Sequence, residues 1–310
     1  MCVKIMRYKK YIIIFLVFQF VLISFSFAAD PFAEAKKLSD KGRYADAIKL
    51  YMDIKQRYPG SDWVPQCIMQ MARTYEKMKK YDDAVAEYKN IIEKYPTLNQ
   101  AEEAYFVIAR IRTSQNLFQP AIRAYELYIK NYPKGDYTVM AYFNAASLYK
   151  DTGKTTEALK YFGEILKDYT NQTWFYSWAA IYSGDIYVGR RDFDAAIESY
   201  QRVIRSDKNK VLYALALLHR AQACMEKNDF ITAKAVFNAL LRSNNFFQEE
   251  ALYGLGKSHY KLGEYELARE VYTSLLQMFP DTVWRKNAEK GLKLMDKRIS
   301  KQRTEPDDDL

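Results

Sequence analysis

Two histidines, His219 and His259, are the only side chains in 310 residues whose ordinary titration range suits a general base at neutral pH. Neither has company. His219 has no metal-ligand partner at helical spacing on its own segment, and His259 stands where equivalent segments carry Tyr75, Tyr149 and Tyr187. That exchange marks His259 as a packed core residue. The carboxylate pairs Asp82/Asp83, Glu102/Glu103 and Glu249/Glu250 are adjacent in sequence, so they read as solvated helix faces and not as facing acid and base. No glycine loop that could cradle phosphate is present, and no cysteine spacing of the zinc type. Asn171-Gln172-Thr173 fits the glycosylation pattern, a single match of little weight. The expectation is a protein with no catalytic residues, no metal and no cofactor, taking no small-molecule substrate.

The first 28 residues have the grammar of an export leader. Lys4, Arg7, Lys9 and Lys10 precede the apolar run from Tyr11 to Phe27, and Ser26-Phe27-Ala28 sets small residues for cleavage after Ala28. An uncleaved anchor is the alternative, disfavoured because Gln19, Ser24 and Ser26 dilute a run of only 17 residues. No cysteine follows the run, so a lipid-modified N-terminus is not expected. The full chain has a formal charge of +9. Removing the four leader cations leaves 43 basic residues against 38 acidic, a spread excess that argues weakly for nucleic acid or an anionic membrane. No nucleic acid is expected as partner. Cys67 and Cys224 lie four repeats apart in the register below and are expected as buried thiols.

What the chain does have is a period. An aromatic, an alanine three residues on and an aromatic four further recur as Tyr44/Ala47/Tyr51, Tyr81/Ala84/Tyr88, Phe118/Ala121/Tyr125, Phe193/Ala196/Tyr200, Phe230/Ala233/Phe237 and Tyr265/Ala268/Tyr272. Thr155/Ala158/Phe162 fills the remaining place, with Thr opening. Successive starts are 37, 37, 37, 38, 37 and 35 residues apart. Nine residues before each start stands a small residue: Ala35, Ala72, Ala109, Ala146, Gly184, Ala221 or Gly256. Spacings of three and four place these residues on one helical face, and a small residue on each of two helices lets their backbones approach. Two residues before each start come Gly42, Lys79, Asn116, Gly153, Arg191, Asn228 and Gly263; Gly and Asn are the types that end helices in the left-handed conformation. Tyr58-Pro59, Tyr95-Pro96, Tyr132-Pro133 and Phe279-Pro280 close the second helices. Asp62, Asn99 and Asp136 are the expected N-caps of the units that follow. Where Thr170, Lys208 and Asn245 replace the proline, looser or differently angled turns are expected.

The pattern resembles the tetratricopeptide repeat over residues 31 to 280, with units longer than the usual length of about 34 residues. Behind an export leader, it is similar to the repeat domains of two bacterial envelope proteins, the Tol-Pal-associated cell-division coordinator and the lipoprotein of outer-membrane β-barrel assembly. The chain departs from the first in lacking an N-terminal coiled coil and from the second in lacking the lipid-modified cysteine. The resemblance therefore implies architecture and compartment, and neither specific role. The fold expected is all-α: a right-handed α-solenoid of about seven helix-turn-helix units over residues 29–299. A capping helix begins near 282, with Trp284, Ala288, Leu292 and Met295 as its apolar stripe, and residues 300–310 form a disordered polar tail.

In the resembled family, first helices line a concave groove at positions three before and one after the small residue. The upstream series here is Phe32, Met69, Phe106, Phe143, Ile181, Leu218 and Tyr253. Two readings stand for it, a groove and a seam where neighbouring first helices pack, with packing the stronger. One turn earlier, Met140, Trp178 and Leu215 are better groove candidates, because Gln66, Glu103 and Glu250 occupy that place elsewhere. Arg73 and Arg110 take the downstream position; the family's carboxylate clamp has Lys and Asn, and the asparagines are missing here, but two arginines could still hold an acidic group. The function expected is a non-enzymatic periplasmic scaffold or adaptor that holds an envelope protein or peptide segment, with membrane association through a partner or an uncleaved leader. A structural subunit of an outer-membrane assembly, secretion or polysaccharide-export machine is the alternative.

Overall fold

A computed structural model describes residues 31–206, 210–243 and 247–304. The leader and its expected cleavage site lie outside the described residues. Among those described there are fifteen α-helices and no strand. The chain divides into two compact bodies, one ending at Tyr137 and one beginning at Thr138.

The first body holds three helix pairs: α1 (Pro31–Asp40) with α2 (Tyr44–Arg57), α3 (Trp63–Lys77) with α4 (Tyr81–Lys94), and α5 (Asn99–Ser114) with α6 (Phe118–Asn131). The second holds α7 (Thr138–Asp151) with α8 (Thr155–Asp168), α9 (Thr173–Gly189) with α10 (Phe193–Ser206), α11 (Lys210–Glu226) with α12 (Phe230–Arg242), α13 (Gln248–Lys261) with α14 (Tyr265–Met278), and a last helix α15 (Arg285–Thr304). Each pair is one of the seven sequence repeats.

The small residues are the contact points of each pair. All seven alanines from Ala47 to Ala268 have no exposed surface, and Ala35, Ala72, Ala109, Ala146 and Ala221 opposite them have none either. The closing aromatics (Tyr51, Tyr88, Tyr125, Phe162, Tyr200, Phe237 and Tyr272) are all buried, which explains the many aromatic residues. Cys67 and Cys224 are buried free thiols, and burial pushes each up to about 11.

The turn inside each pair is left-handed in every repeat. Gly42, Gly153 and Gly263 have φ of 77°, and Lys79, Asn116, Arg191 and Asn228 have φ between 58° and 65°. The geometry therefore overrides residue type at Lys79 and Arg191. The second helices stop where the Tyr-Pro and Phe-Pro pairs predict, with Tyr58, Tyr95, Tyr132 and Phe279 as non-helical C-caps whose N–H groups donate back to the preceding turn. Tyr169 takes the same conformation before Thr170, so proline is not required for it. Lys208 and Asn245 lie outside the described residues.

Two N-cap expectations fail. Asn99 is already the first residue of α5 behind Leu98, and α7 begins two residues after Asp136. Asp62 sits at its N-cap position without a side-chain capping bond. A backbone turn precedes each of these starts: Leu98 donates to the Tyr95 carbonyl and Gly135 to that of Tyr132. The Asp136 N–H is taken by Glu102 Oε1 at 2.7 Å. The capping helix also runs further than expected. Ala288, Met295 and Ile299 bury its inner face, and it continues to Thr304, into the segment expected as tail. Pro306 stands just beyond; residues 305–310 lie outside the described residues.

Candidate partner-binding surfaces

The first helix of each pair carries the side chains in question, at positions three and six before the small contact residue and one after it. In the first body, α1, α3 and α5 frame a cleft of about 630 Å³, whose lining includes Phe32, Met69, Arg73, Glu103 and Tyr137. The two predicted arginines belong to crossed ion pairs between α3 and α5. Arg73 reaches Glu103 at 2.6 Å, and Arg110 reaches back to Glu76 at 2.6 Å. Burial works to lower the Arg73 pKa, but the hydrogen bond and charge of Glu103 outweigh it and hold the guanidinium further into its charged form. Pairs this exposed stabilise by roughly 0–1 kcal/mol each. A partner carboxylate would have to displace a glutamate already seated.

Phe106 sits with the core and not with the cleft. It stacks on Tyr137 at 4.8 Å and meets Tyr125 and Tyr128 edge-on, leaving it 6% exposed.

In the second body the upstream series is likewise mostly seam. Ile181 is 1% exposed and Leu218 is 6% exposed. Phe143 is only half-buried, and it lies among Phe162, Trp174, Phe175 and Tyr182 with ring centroids 5.4–6.0 Å away. The earlier register is more open: Met140 is 37% exposed, and Trp178 and Leu215 are half-buried.

Trp174 is more exposed than any of the predicted apolar residues, at 55%, and Val211 is 45% exposed. Sequence reasoning missed both, although a signal was there. They occupy the register of Asp62, Asn99 and Asp136, so two polar helix starts have become apolar in adjacent units. Trp174, Trp178 and Tyr182 recur at intervals of four and form a row along α9, with centroids 6.3 Å and then 5.4 Å apart. The Lys150 ammonium lies over the Tyr182 ring at 5.0 Å.

Charged groups near this row are occupied. Asp185, the only acidic residue in α9, accepts from the Tyr200 hydroxyl at 2.8 Å and bonds Nδ1 of His219 at 2.9 Å. Burial first, and then the Asp185 charge, push the Tyr200 phenol far above its usual range. His219 thus does have a partner, supplied by a neighbouring helix. His259 is 8% exposed and bonds Glu264, as a packed residue does. Among the described residues, no group of three or more His, Cys, Asp or Glu is placed to hold a metal.

Paired helices around small residues, left-handed turns and a terminal cap define a tetratricopeptide-repeat protein, all-α and of the solenoid class. Family models for the tetratricopeptide repeat match residues 183–246 and 250–282. Residues 28–177 match the YfiO family, described as outer membrane lipoprotein, and over that half the chain is similar to that family.

Solved structures agree on the fold. The C-terminal part of a repeat protein from Cytophaga hutchinsonii is 19% identical, with 84% of this chain and 99% of that one covered and a TM-score of 0.59. A Naa15/Naa10 complex bound to HypK-THB is 15% identical, with 86% and 38% covered and a TM-score of 0.57. YrrB, described as a repeat protein with an unusual peptide-binding site, is 17% identical, with 66% and 97% covered and a TM-score of 0.50. A search of curated protein sequences matched none. Tetratricopeptide and YfiO-type repeat proteins are mediators of protein–protein interaction, and this chain is of that kind. None of its described helices is long and apolar enough to cross a membrane.

Proposed function

We propose that the protein is a non-enzymatic periplasmic adaptor of the cell envelope, which holds a segment of an envelope protein against the inner helices of its second body. The observation that carries this reading is the row Trp174, Trp178 and Tyr182 on α9, open at Trp174 and packed against Phe143, with Met140 exposed one turn before Phe143. Exposed rings held by their neighbours lose little entropy on binding, so they serve as anchors. An apolar helix or extended strand from a partner fits such a row. Leu215 continues the same register on α11, Ile181 belongs to the core cluster on which Trp178 packs, and Leu218 is buried in the neighbouring cluster. In the first body, the charged walls at Arg73 and Arg110 suit a polar stretch of a partner. The export leader and the similarity to an outer membrane lipoprotein family support the compartment.

A photo-crosslinking residue at Trp174, in intact cells, should capture one discrete envelope protein. Trp174→Ala/Trp178→Ala should weaken that complex by ~2 kcal/mol or more, about thirtyfold, in the purified pair. Undiminished binding by this variant would overturn the reading.

A further inference from the structure

The last helix is far more basic than the chain as a whole. Helix α15 carries eight basic residues and two acidic ones among twenty. Lys286, Lys290, Lys293 and Lys297 follow at intervals of four, three and four, which sets them on one line within an arc of roughly 60° and over about 16 Å of helix. All four are exposed, on the side away from the buried Ala288, Met295 and Ile299. Arg285 is engaged with Glu289 and the Pro280 carbonyl, whereas no described carboxylate pairs with any of the four lysines.

Helix stability does not account for this stripe. The first turn of α15 has no acidic residue, and Lys286 there opposes the positive end of the helix dipole. Nor does it suit an oriented acidic pocket, for which the arginine fork is the fitted group; lysines act as point charges. A straight line of point charges is complementary to a broad negative surface. Leu294, 44% exposed, stands beside the stripe as an apolar contact.

We propose that the outer face of α15 docks on an anionic lipid bilayer, with the lysine ammonium groups among the headgroup phosphates and the helix lying along the surface. Nothing in this depends on the aromatic row. The rival occupant is the chain's own acidic end, Glu305, Asp307, Asp308 and Asp309.

The test is flotation of the full chain with phosphatidylglycerol–phosphatidylcholine vesicles and with phosphatidylcholine vesicles, at low and raised salt. The full chain should float with the anionic vesicles alone, and less so as salt rises. Lys290→Gln/Lys293→Gln should lower the affinity by about tenfold or more, and charge reversal to Glu at all four positions should abolish it. Helicity should be retained and the melting temperature should not fall, since all four side chains are exposed and Glu at position 286 suits the helix N-terminus better than Lys. Equal binding by the reversed variant would assign binding to another segment, such as the leader, and overturn the proposal. So would failure of the full chain to float. Flotation seen only in a variant ending at Thr304 would give the stripe to the acidic end, and would overturn it too.

Discussion

The hydroxyl of Tyr88 donates to one oxygen of Glu76 at 2.5 Å, while the other oxygen of that carboxylate holds Arg110 at 2.6 Å. One glutamate thus satisfies a phenol with no exposed surface and ties α3 to α5. Burial first, and then this hydrogen bond, push the Tyr88 phenol far above its usual range. Glu76→Ala strands the hydroxyl and should cost ~1–3 kcal/mol. Arg110→Ala removes only a half-exposed pair and should cost less than ~1 kcal/mol. Urea unfolding midpoints compare the two. Adding Tyr88→Phe to Glu76→Ala should recover most of the loss, because no orphan donor remains.

The left-handed turns offer stabilising changes. Lys79 and Arg191 adopt φ of 59° and 60°, where a Cβ is strained and glycine is not. Lys79→Gly and Arg191→Gly should each raise stability by up to about 1 kcal/mol, seen as a higher melting temperature. Gly153→Ala, at φ of 77°, should lower it by a similar amount.

Close approach at Gly184 works in the opposite sense. A Cβ there would lie 2.4 Å from Cε1 of Tyr200, a ring that cannot retreat without breaking its bond to Asp185. Gly184→Ala should cost ~1–3 kcal/mol by overpacking. Gly60→Ala, which meets nothing within 4 Å, should stay within ~0.5 kcal/mol of the parent. Equal melting temperatures for the two variants would contradict the packing seen here.

Acid should loosen the last repeat through Glu264. The Lys234 ammonium at 2.7 Å, and then His259, hold this carboxyl below the usual glutamate range. Because its folded pKa is the lower one, the stabilisation is complete above the unfolded glutamate value and disappears as pH falls through the folded value. The melting temperature of the parent should therefore exceed that of Glu264→Gln at neutral pH. The gap should close in acid, below the ordinary glutamate range, and a gap independent of pH would refute the assignment.

Much of the architecture was legible before any coordinates. Ala84 between Tyr81 and Tyr88, with Ala72 nine residues before the start, states which faces must meet, since helical period and side-chain size are local properties. The turns at Gly42 and Asn116 were readable for the same reason. Asn99 and Asp136 misled because a cap depends on where the turn before it closes, and the backbone bonds donated by Leu98 and Gly135 to Tyr95 and Tyr132 moved that point. Groove and seam could not be separated by residue type: Phe106 and Phe143 share a register, yet Tyr137 covers the first and Trp174 leaves the second half open.

The amino-acid order by itself therefore determined the helix pairs, their contact residues and their number, because each is dictated within one unit of about 37 residues. Tertiary structure decided what the inner faces present. Arg73 meets Glu103 thirty residues on, Arg110 meets Glu76 from the other direction, and Asp185 takes His219 from the next unit. Which carboxylate a cation reaches depends on how one helix is rotated against the next. That rotation is set by the summed packing of several side chains and is written in no single spacing.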